Sequence, residues 1–423
     1  MKIRTIIFCL SALVVCNPAF SQTTREEMLS DLNRTGSVYF AYPVTESHNT
    51  PAPKGYKPVY ISHFGRHGSR YLISTADYTR LRDIFHLAKD NNALTPLGED
   101  VMQRIDSVLI EADGRGGDLA PLGVRQHRGI AERMYKAYPE VFRSNTPISA
   151  RSTLVVRCVL SMDAFCERLK ELNPNLEITR ESSQRYMPYL CYWSPESGEK
   201  DKTLAEEKRK FEEKMTRPDR LIGSLFSDPE FVRKNVNPHD FMWGLYYLAS
   251  GMQDIETELS FYDIFTPEEL FDLWQAFNFR FYTSAGNFPG NDGLMIDNAK
   301  YLLQNFIVSA DEALLSDTPS ATLRFGHDND LIRFAGILEF ENAVGRESDP
   351  DKAYRAFADY KIAPMAGNVQ LIFFRNPKDT NAPVLVKFML NEEEQRIPVA
   401  TDIWPFYRWE DVKAYYLPKV PAS

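Results

Sequence analysis

Residues 59–71 read VYISHFGRHGSRY, and this stretch indicates which fold the chain adopts and where its chemistry lies. The first six residues are β-branched, aromatic or otherwise compatible with a strand, and Gly65 and Gly68 give the backbone freedom on both sides of His67. The apolar residues of 76–89 recur at helical intervals, which predicts a helix after the loop. A strand, a loop and a helix in this order place free N–H groups and side chains where anions bind.

The loop itself carries a histidine between two arginines, Arg66-His67-Gly68-Ser69-Arg70. Guanidinium groups bind phosphate oxygens in pairs, and an imidazole among them can attack phosphorus as a nucleophile. Arg66, His67 and Arg70 therefore predict a phosphate-handling site. A surface cluster without chemistry is the alternative, because such short patterns also arise by chance.

A second histidine follows a predicted strand in the same way, 260 residues further along the chain. The strand-like residues 321–326 (ATLRFG) lead into His327 and Asp328, and an apolar, helix-like segment comes next. Parallel strands end at one edge of a sheet, so we expect His327 to face the same pocket as His67. Asp328 is then placed to give a proton to a departing oxygen. The alternative for this pair is a local hydrogen bond or a helix cap.

A third segment, residues 146–165, is predicted to run from a strand into a helix that begins near Ser152 or Thr153. Arg157 lies close to the start of that helix, where the backbone potential is positive. An arginine is useful there only if an anion binds. Taken alone, Arg157 fits equally well as part of a salt bridge or as an exposed helix residue.

Together these motifs resemble the branch of the histidine phosphatase superfamily that includes histidine acid phosphatases, bacterial phytases and multiple inositol polyphosphate phosphatases. The family motif Arg-His-Gly-x-Arg-x-Pro matches Arg66, His67, Gly68 and Arg70, and its His-Asp motif matches His327 and Asp328. Residues 119–126 (LAPLGVRQ) resemble its Leu-Thr-x-x-Gly-x-x-Gln segment, and Arg157-Cys158 resembles its mid-chain Arg-Thr or Arg-Cys. The resemblance spans most of the chain after residue 21.

The resemblance implies a phosphomonoesterase that needs no metal and no cofactor. His67 would form a phosphohistidine, Asp328 would protonate the leaving alcohol, and the remaining members would hold the phosphate oxygens: Arg66, Arg70, Arg157 and His327. It also implies a small-molecule phosphate ester as substrate, with inositol polyphosphates such as phytate ahead of sugar phosphates or nucleotides. An exported protein that binds phosphate ligands without turnover is the alternative of another class. His67 and Asp328 argue against it, because binding requires neither a nucleophile nor an acid.

The chain departs from the family pattern at two places. Leu72 stands where the nucleophile motif usually has proline, which changes the stiffness of the loop without removing a phosphate ligand. The inositol polyphosphate branch commonly has His-Ala-Glu where this chain has His327-Asp328-Asn329. The subfamily therefore stays open at this point.

Alternation of strands and helices predicts an α/β fold with a mainly parallel sheet flanked by helices. Residues 198–309 contain few strand-like runs and many helical ones, so they are expected to form a helical insertion or cap domain. The α/β core would then consist of residues 22–197 and 310–423, which agrees with the phosphoglycerate mutase-like core that the resemblance implies. The last part of the core is expected to form a hairpin from residues 383–390 and 396–399.

The N-terminal 21 residues predict export. Lys2 and Arg4 precede an apolar stretch that ends in small residues, which is the order of a cleavable secretory signal. We expect secretion with the periplasm as the destination, and we rank a lipid anchor at Cys16 second because Val15 precedes it. No later segment approaches the ~20 apolar residues that cross a bilayer, so no membrane span is predicted.

Composition limits the remaining classes. The 423 residues are 43% hydrophobic and carry a net charge of −9, so the chain can bury a full core and is not expected to bind nucleic acid. Three cysteines remain after the signal and allow at most one disulfide: Cys158, Cys166 and Cys191. Their spacing to one another and to histidines does not suggest zinc.

Overall fold

A computed structural model of the protein describes residues 23–43, 49–143 and 147–421. The predicted signal peptide and Cys16 lie outside these residues, and export stays a prediction. No helix in the described ranges is long and apolar enough to cross a membrane.

One eight-stranded mixed sheet forms the centre of the molecule. Its strands, in chain order, are β1 (Lys57–Arg66), β2 (Pro147–Ser152), β3 (Glu177–Ser182), β4 (Ala321–Gly326), β5 (Asn368–Arg375), β6 (Leu385–Leu390), β7 (Glu393–Glu394) and β8 (Phe406–Arg408). Seven strands are in the spatial order β3-β2-β4-β1-β5-β6-β7, and β8 pairs with β6. The neighbours from β3 to β1 are parallel, while β5 to β8 pair antiparallel.

Helices cover the sheet and fill the middle of the chain. The first group is α1 (Arg25–Leu29), α2 (Ala76–Asp90), α3 (Pro96–Ala112), α4 (Pro121–Ala137), α5 (Val156–Leu172), α6 (Met187–Leu190), α7 (Pro195–Thr203), α8 (Ala205–Met215) and α9 (Asp219–Leu225). The second group is α10 (Pro229–Asn235), α11 (Pro238–Gly251), α12 (Pro267–Ala285), α13 (Leu294–Asp297), α14 (Lys300–Ser316), α15 (Asp328–Ile337), α16 (Ala353–Ala356), α17 (Asp359–Ile362) and α18 (Trp409–Tyr416).

The register of β1 and β4 positions the predicted site. Arg66 pairs with Gly326 at the carboxyl end of the two parallel strands. The residues that follow, His67 and His327, therefore leave the sheet side by side. On the other flank of β4, Ser152 at the end of β2 pairs with Phe325, which brings the start of α5 to the same edge.

The α/β prediction is confirmed, and most predicted elements are present with small shifts of their ends. Two strands outside the predicted hairpin were missed. β3 is exposed along most of its length, so its sequence lacks the apolar pattern that identifies a strand, and β8 has only three residues. The helix after β2 begins at Val156 and not near Ser152, which still belongs to β2. The predicted hairpin was half wrong, because β6 pairs with β7 and β8 while residues 396–399 form no strand.

The predicted helical insertion, residues 198–309, packs against elements that come before it and after it in the chain. One apolar cluster joins Leu81 and Phe85 of α2 to Leu221 and Phe241 of the helical segment. A second cluster joins Phe306 of α14 to the sheet and to α15. Apolar burial therefore continues across the predicted boundaries of the insertion.

Candidate active site

The loop after β1 holds His67 by its backbone on both sides. The His67 amide donates to the carbonyl of Gly326 at 3.0 Å, and the His67 carbonyl accepts from the amide of Ala366 at 2.9 Å. On the side chain, Nδ1 lies 2.9 Å from the carbonyl oxygen of Gly68. A carbonyl oxygen can only accept, so Nδ1 carries the proton and Nε2 keeps its lone pair. The imidazole is thus set in the tautomer that a nucleophile needs.

Electrostatics keep that imidazole neutral. Burial lowers the pKa of His67 well below its ordinary value, and the positive charges of Arg66, Arg70 and Arg157 lower it further. The nitrogen lone pair is therefore available even in mildly acidic solution, where an exposed histidine would be protonated.

His327 faces His67 as predicted. The centres of the two imidazole rings are 5.8 Å apart, and the rings meet edge to face. Nε2 of His327 lies 3.2 Å from Oγ1 of Thr153, the residue that follows β2. Burial lowers the pKa of His327 to about 4 despite the opposing charge of Asp328, and the nearby arginines contribute to the lowering. The structure thus brings two neutral imidazoles to one point from strands that are distant in the sequence.

Arg66 is fully buried and joins the site to Asp328. Its Nη1 donates to the carbonyl oxygens of Val38 and Ala363, and its Nη2 lies 2.9 Å from Oδ2 of Asp328. Its Nε has no hydrogen-bond partner among the described residues. The guanidinium is fixed in place by backbone carbonyls and still has a free donor.

Asp328 begins α15 and is held as a carboxylate. Its Oδ1 accepts from the Asn329 amide at 2.8 Å, while Oδ2 contacts Arg66. Burial raises the pKa of Asp328, but Arg66, His327 and Arg70 outweigh burial and leave the pKa below the ordinary value. A proton donor has to be protonated, so in the free protein this group is not yet in the state that the predicted role requires.

Arg70 and Arg157 are the other two arginines at the site beside Arg66. Arg70 is buried over the ring of Tyr39, and Arg157 projects from the first turn of α5 next to Gly117. Neither has a hydrogen-bond partner at Nε among the described residues. Burial lowers the pKa of Arg157, and repulsion from Arg70 adds to the lowering. Cations this close together, with free donors, favour an anion between them.

The loop that carries His67 is pressed against α4, which explains the glycines at positions 68 and 123. A Cβ at Gly68 would lie 2.6 Å from backbone atoms of Gly123, and a Cβ at Gly123 would lie 2.3 Å from the carbonyl oxygen of Ser69. Only glycine at both positions permits this approach. The Gly68 amide also donates to Oγ of Ser161 on α5 at 3.1 Å, so two helices fix the loop.

Leu72 shows how the chain does without the usual proline. Its amide donates to the hydroxyl of Tyr78 at 2.9 Å, and its carbonyl accepts from Gly117 at 2.7 Å. Proline has no amide hydrogen and would lose the first of these bonds. Hydrogen bonding to α2 therefore stiffens the loop in place of a ring.

Sequence reasoning missed Asp254 altogether. This residue follows α11, is fully buried, and accepts a hydrogen bond from Ser69 of the nucleophile loop. No local pattern around residue 254 signals this contact, because it depends on how the helical segment packs. Gln126, which also binds Ser69, could have been predicted, since it is the last residue of the segment 119–126 that resembles a family motif.

No group of three or more His, Cys, Asp or Glu within the described residues is arranged to hold a metal ion. The cysteines of that part are free: Cys158 and Cys166 are buried, and Cys191 is exposed. Cys158 lies beside His327, with Sγ 3.8 Å from each ring nitrogen, and burial raises the pKa of its thiol to about 12. It packs there as a neutral thiol.

Comparisons with known proteins identify a family and a fold for this chain. A family profile described as "Histidine phosphatase superfamily (branch 2)" matches residues 64–391. The fold is similar to that of the multiple inositol polyphosphate phosphatase of Bifidobacterium longum, solved with inositol hexasulfate, at a TM-score of 0.71 and 18% identity over 90% of this chain and 97% of that one.

Two phytases share the fold as well. The phytase from D. castellii has a TM-score of 0.66 and 16% identity, covering 93% of this chain and 86% of its own. The Hafnia alvei phytase solved with myo-inositol hexakis sulphate has a TM-score of 0.52 and 13% identity, covering 88% of this chain and 98% of its own. No curated relative matches the sequence.

Proposed function

The chain belongs to branch 2 of the histidine phosphatase superfamily and is a phosphatase enzyme, and from this we propose that it hydrolyses phosphomonoesters through a phosphohistidine, with inositol polyphosphates as its substrate class. One observation carries the proposal: the imidazoles of His67 and His327 lie 5.8 Å apart between cations with free donors. That arrangement supports in-line attack on a phosphoryl group whose charge is already neutralised.

In the first step, Nε2 of His67 attacks phosphorus, the P–N bond forms and the ester P–O bond breaks. Arg66, Arg70, Arg157 and His327 hold the other phosphate oxygens. The departing alkoxide takes its proton from Asp328. In the second step Asp328 removes a proton from water, the water oxygen attacks phosphorus, the P–N bond breaks and phosphate leaves.

Asp328 acquires its proton as the substrate arrives. The phosphate competes for Arg66, the cation that keeps the pKa of Asp328 low, and brings negative charge next to the carboxylate. Both changes raise the pKa of Asp328. We therefore expect activity to be highest in acidic solution, where the proton is available and His67 is still neutral.

The substrate class rests on the structural neighbours, which include an inositol polyphosphate phosphatase and phytases. The test is to incubate the purified protein with phytate, glucose 1-phosphate and AMP at pH 5 and to measure the phosphate released. We expect phytate to be cleaved at least about tenfold faster than the other two in kcat/KM. Comparable rates on all three would mean a broad-specificity acid phosphatase.

The matched control is His67→Ala, which removes the nucleophile from the same protein. We expect at least about a thousandfold loss of kcat, since the variant lacks the proposed nucleophile. Denaturing quench with ³²P-labelled substrate should trap an acid-labile phosphohistidine in the wild type and none in the variant. Binding without any release of phosphate by the wild type would support the non-catalytic alternative.

We also propose that the protein is exported to the periplasm after cleavage before Gln22. The proposal is supported by the charge and apolar pattern of residues 1–21. Expression of the full chain followed by N-terminal sequencing of the mature protein tests it. A mature chain that begins with a lipid-modified Cys16 would establish the lipid anchor instead.

A further inference from the structure

A buried carboxyl group from the helical segment reaches the nucleophile loop. Asp254 lies in the 3₁₀ turn that follows α11, its side chain is fully buried, and its Oδ1 accepts from Oγ of Ser69 at 2.6 Å. Ser69 lies between His67 and Arg70, so whatever fixes Ser69 also fixes the separation of the nucleophile from a phosphate ligand.

Three separate parts of the chain meet at Ser69. Its amide donates to Oε1 of Gln126 on α4 at 2.8 Å, and Nε2 of Gln126 donates back to Oγ of Ser69 at 2.8 Å. Because that hydroxyl already accepts from Gln126, its own hydrogen is left for Asp254. The side-chain hydrogen bonds therefore run in one direction: Gln126 donates to Ser69, and Ser69 donates to Asp254.

The second carboxyl oxygen of Asp254 takes no part in these hydrogen bonds. Oδ2 has no hydrogen-bond partner among the described residues, although it is buried. The charged and titratable groups around the carboxyl are Arg66 and Arg70 of the nucleophile loop, Tyr78 of α2 and Tyr262 of the helical segment. Burial raises the pKa of Asp254 to about 7, although Ser69, Arg70 and Arg66 act to lower it.

We propose that Asp254 is a positioning residue for the phosphate site, which sets the Arg66-to-Arg70 loop through Ser69 and, when ionised, competes with substrate phosphate for the two arginines. The inference rests on the proposed function and deepens it. A neutral carboxyl keeps the bond to Ser69 and leaves the arginines to the substrate. An ionised carboxyl shares their positive charge.

Thermodynamic linkage predicts how the affinity for an anion should change with pH. If an anion binds better when Asp254 is neutral, then anion binding also favours protonation of Asp254. Affinity for an anion should therefore be constant in acid and fall as the pH rises through about 7, by up to tenfold per pH unit. His67 and His327 do not titrate in this range, since burial and the arginines lower the pKa of both.

The first experiment measures the inhibition constant of sulfate with p-nitrophenyl phosphate as substrate, from pH 5 to pH 8.5. Sulfate keeps the same charge throughout, so changes report the protein. We expect wild-type affinity to weaken about tenfold between pH 6 and pH 8, and the affinity of Asp254→Asn to change less than about twofold. Asparagine has the shape of the neutral acid and still accepts from Ser69, so at pH 5 the two proteins should differ little in kcat.

A matched control is Asp330→Asn, which removes another buried carboxyl group. Burial raises the pKa of Asp330 to about 7 as well, but its carboxylate pairs with Arg333 and not with Ser69. Asp330→Asn should keep the wild-type pH dependence. The same pH dependence in Asp254→Asn and the wild type, or its loss in Asp330→Asn, would overturn the role of Asp254.

The positioning role is tested with Ser69→Ala, Asp254→Ala and the double variant. Each single change should lower kcat by about ten- to a hundredfold, the order expected when catalytic geometry loosens by about 1 Å. The double variant should be hardly worse than either, because both act through one contact. Additive losses would overturn this role.

Sulfate binding measured by calorimetry keeps the test separate from turnover. A wild type that binds sulfate but releases no phosphate would contradict the proposed function and leave the role of Asp254 in anion binding testable.

Discussion

Asp328 shows at the residue scale how one carboxyl group can have two states. In the free protein Arg66 holds it ionised, and the proposed catalytic cycle requires it protonated when the alcohol departs. In that proposal the guanidinium that binds phosphate also controls the acid. The two demands would be met in turn, because the substrate is proposed to replace the carboxylate as the partner of Arg66.

A leaving-group comparison tests the acid. Asp328→Asn keeps the size of the side chain but cannot donate an acidic proton. We expect kcat for glycerol 2-phosphate, whose alkoxide is a poor leaving group, to fall about 10²- to 10⁴-fold. For p-nitrophenyl phosphate, which needs no proton, the loss should stay under about tenfold.

Equal losses on both esters would contradict the role of Asp328 as proton donor. Asp330→Asn serves as the control, because Asp330 lies two residues further along α15 and pairs with Arg333. It should change the two rates by the same factor.

At the scale of elements, the site depends on how closely the nucleophile loop meets α4. Gly123 is the contact point, and a methyl group there would meet the carbonyl oxygen of Ser69 at 2.3 Å. Backbone on both sides cannot move aside as a flexible side chain would. The helix and the loop would have to separate, and the loop carries His67, the proposed nucleophile.

Gly123→Ala is therefore expected to lower kcat more than about tenfold and to destabilise the fold by about 1–3 kcal/mol. Gly129→Ala on the same helix is the matched control. Its added methyl group would meet only the end of the Arg133 side chain, at 3.1 Å, and alanine favours a helix by roughly 0.5–1 kcal/mol over glycine. Steady-state kinetics and urea unfolding of both variants decide the matter, and similar behaviour of the two would refute the close-contact argument.

At the scale of the whole molecule, apolar clusters extend across the predicted boundaries of the insertion. The predicted insertion 198–309 contributes Leu221 and Phe241 to a cluster that α2 completes, and α14, which continues past residue 309, packs on the sheet. Whether the insertion is a cap domain in its own right stays a prediction. Its apolar residues, however, share one buried cluster with α2 and α3.

We therefore expect one cooperative unfolding transition. Circular dichroism follows all helices, while the fluorescence of the five tryptophans includes the buried Trp243 and Trp274 in the predicted insertion and the buried Trp409 in the predicted core. The two signals should give the same urea midpoint. Separate midpoints, or a folded fragment of residues 198–309 after limited proteolysis, would show that the insertion is an independent domain.

The sequence by itself determined the α/β fold class, the strand-loop-helix around His67 and the second histidine at His327. These features depend on residues that are neighbours along the chain, where strand preference, glycine and helical spacing act directly. The sequence also identified the arginines that the structure brings to the same edge, because parallel strands ending together is a general property of such sheets.

Only the tertiary structure decided the antiparallel half of the sheet, the exposed strand β3 and the contact of Asp254 with Ser69. β3 is exposed and gives no apolar signal. Asp254 and Ser69 are 185 positions apart, and their meeting depends on how the helical segment packs against the loop. The free energy of such packing is shared among many weak apolar contacts, so no short stretch of sequence records it.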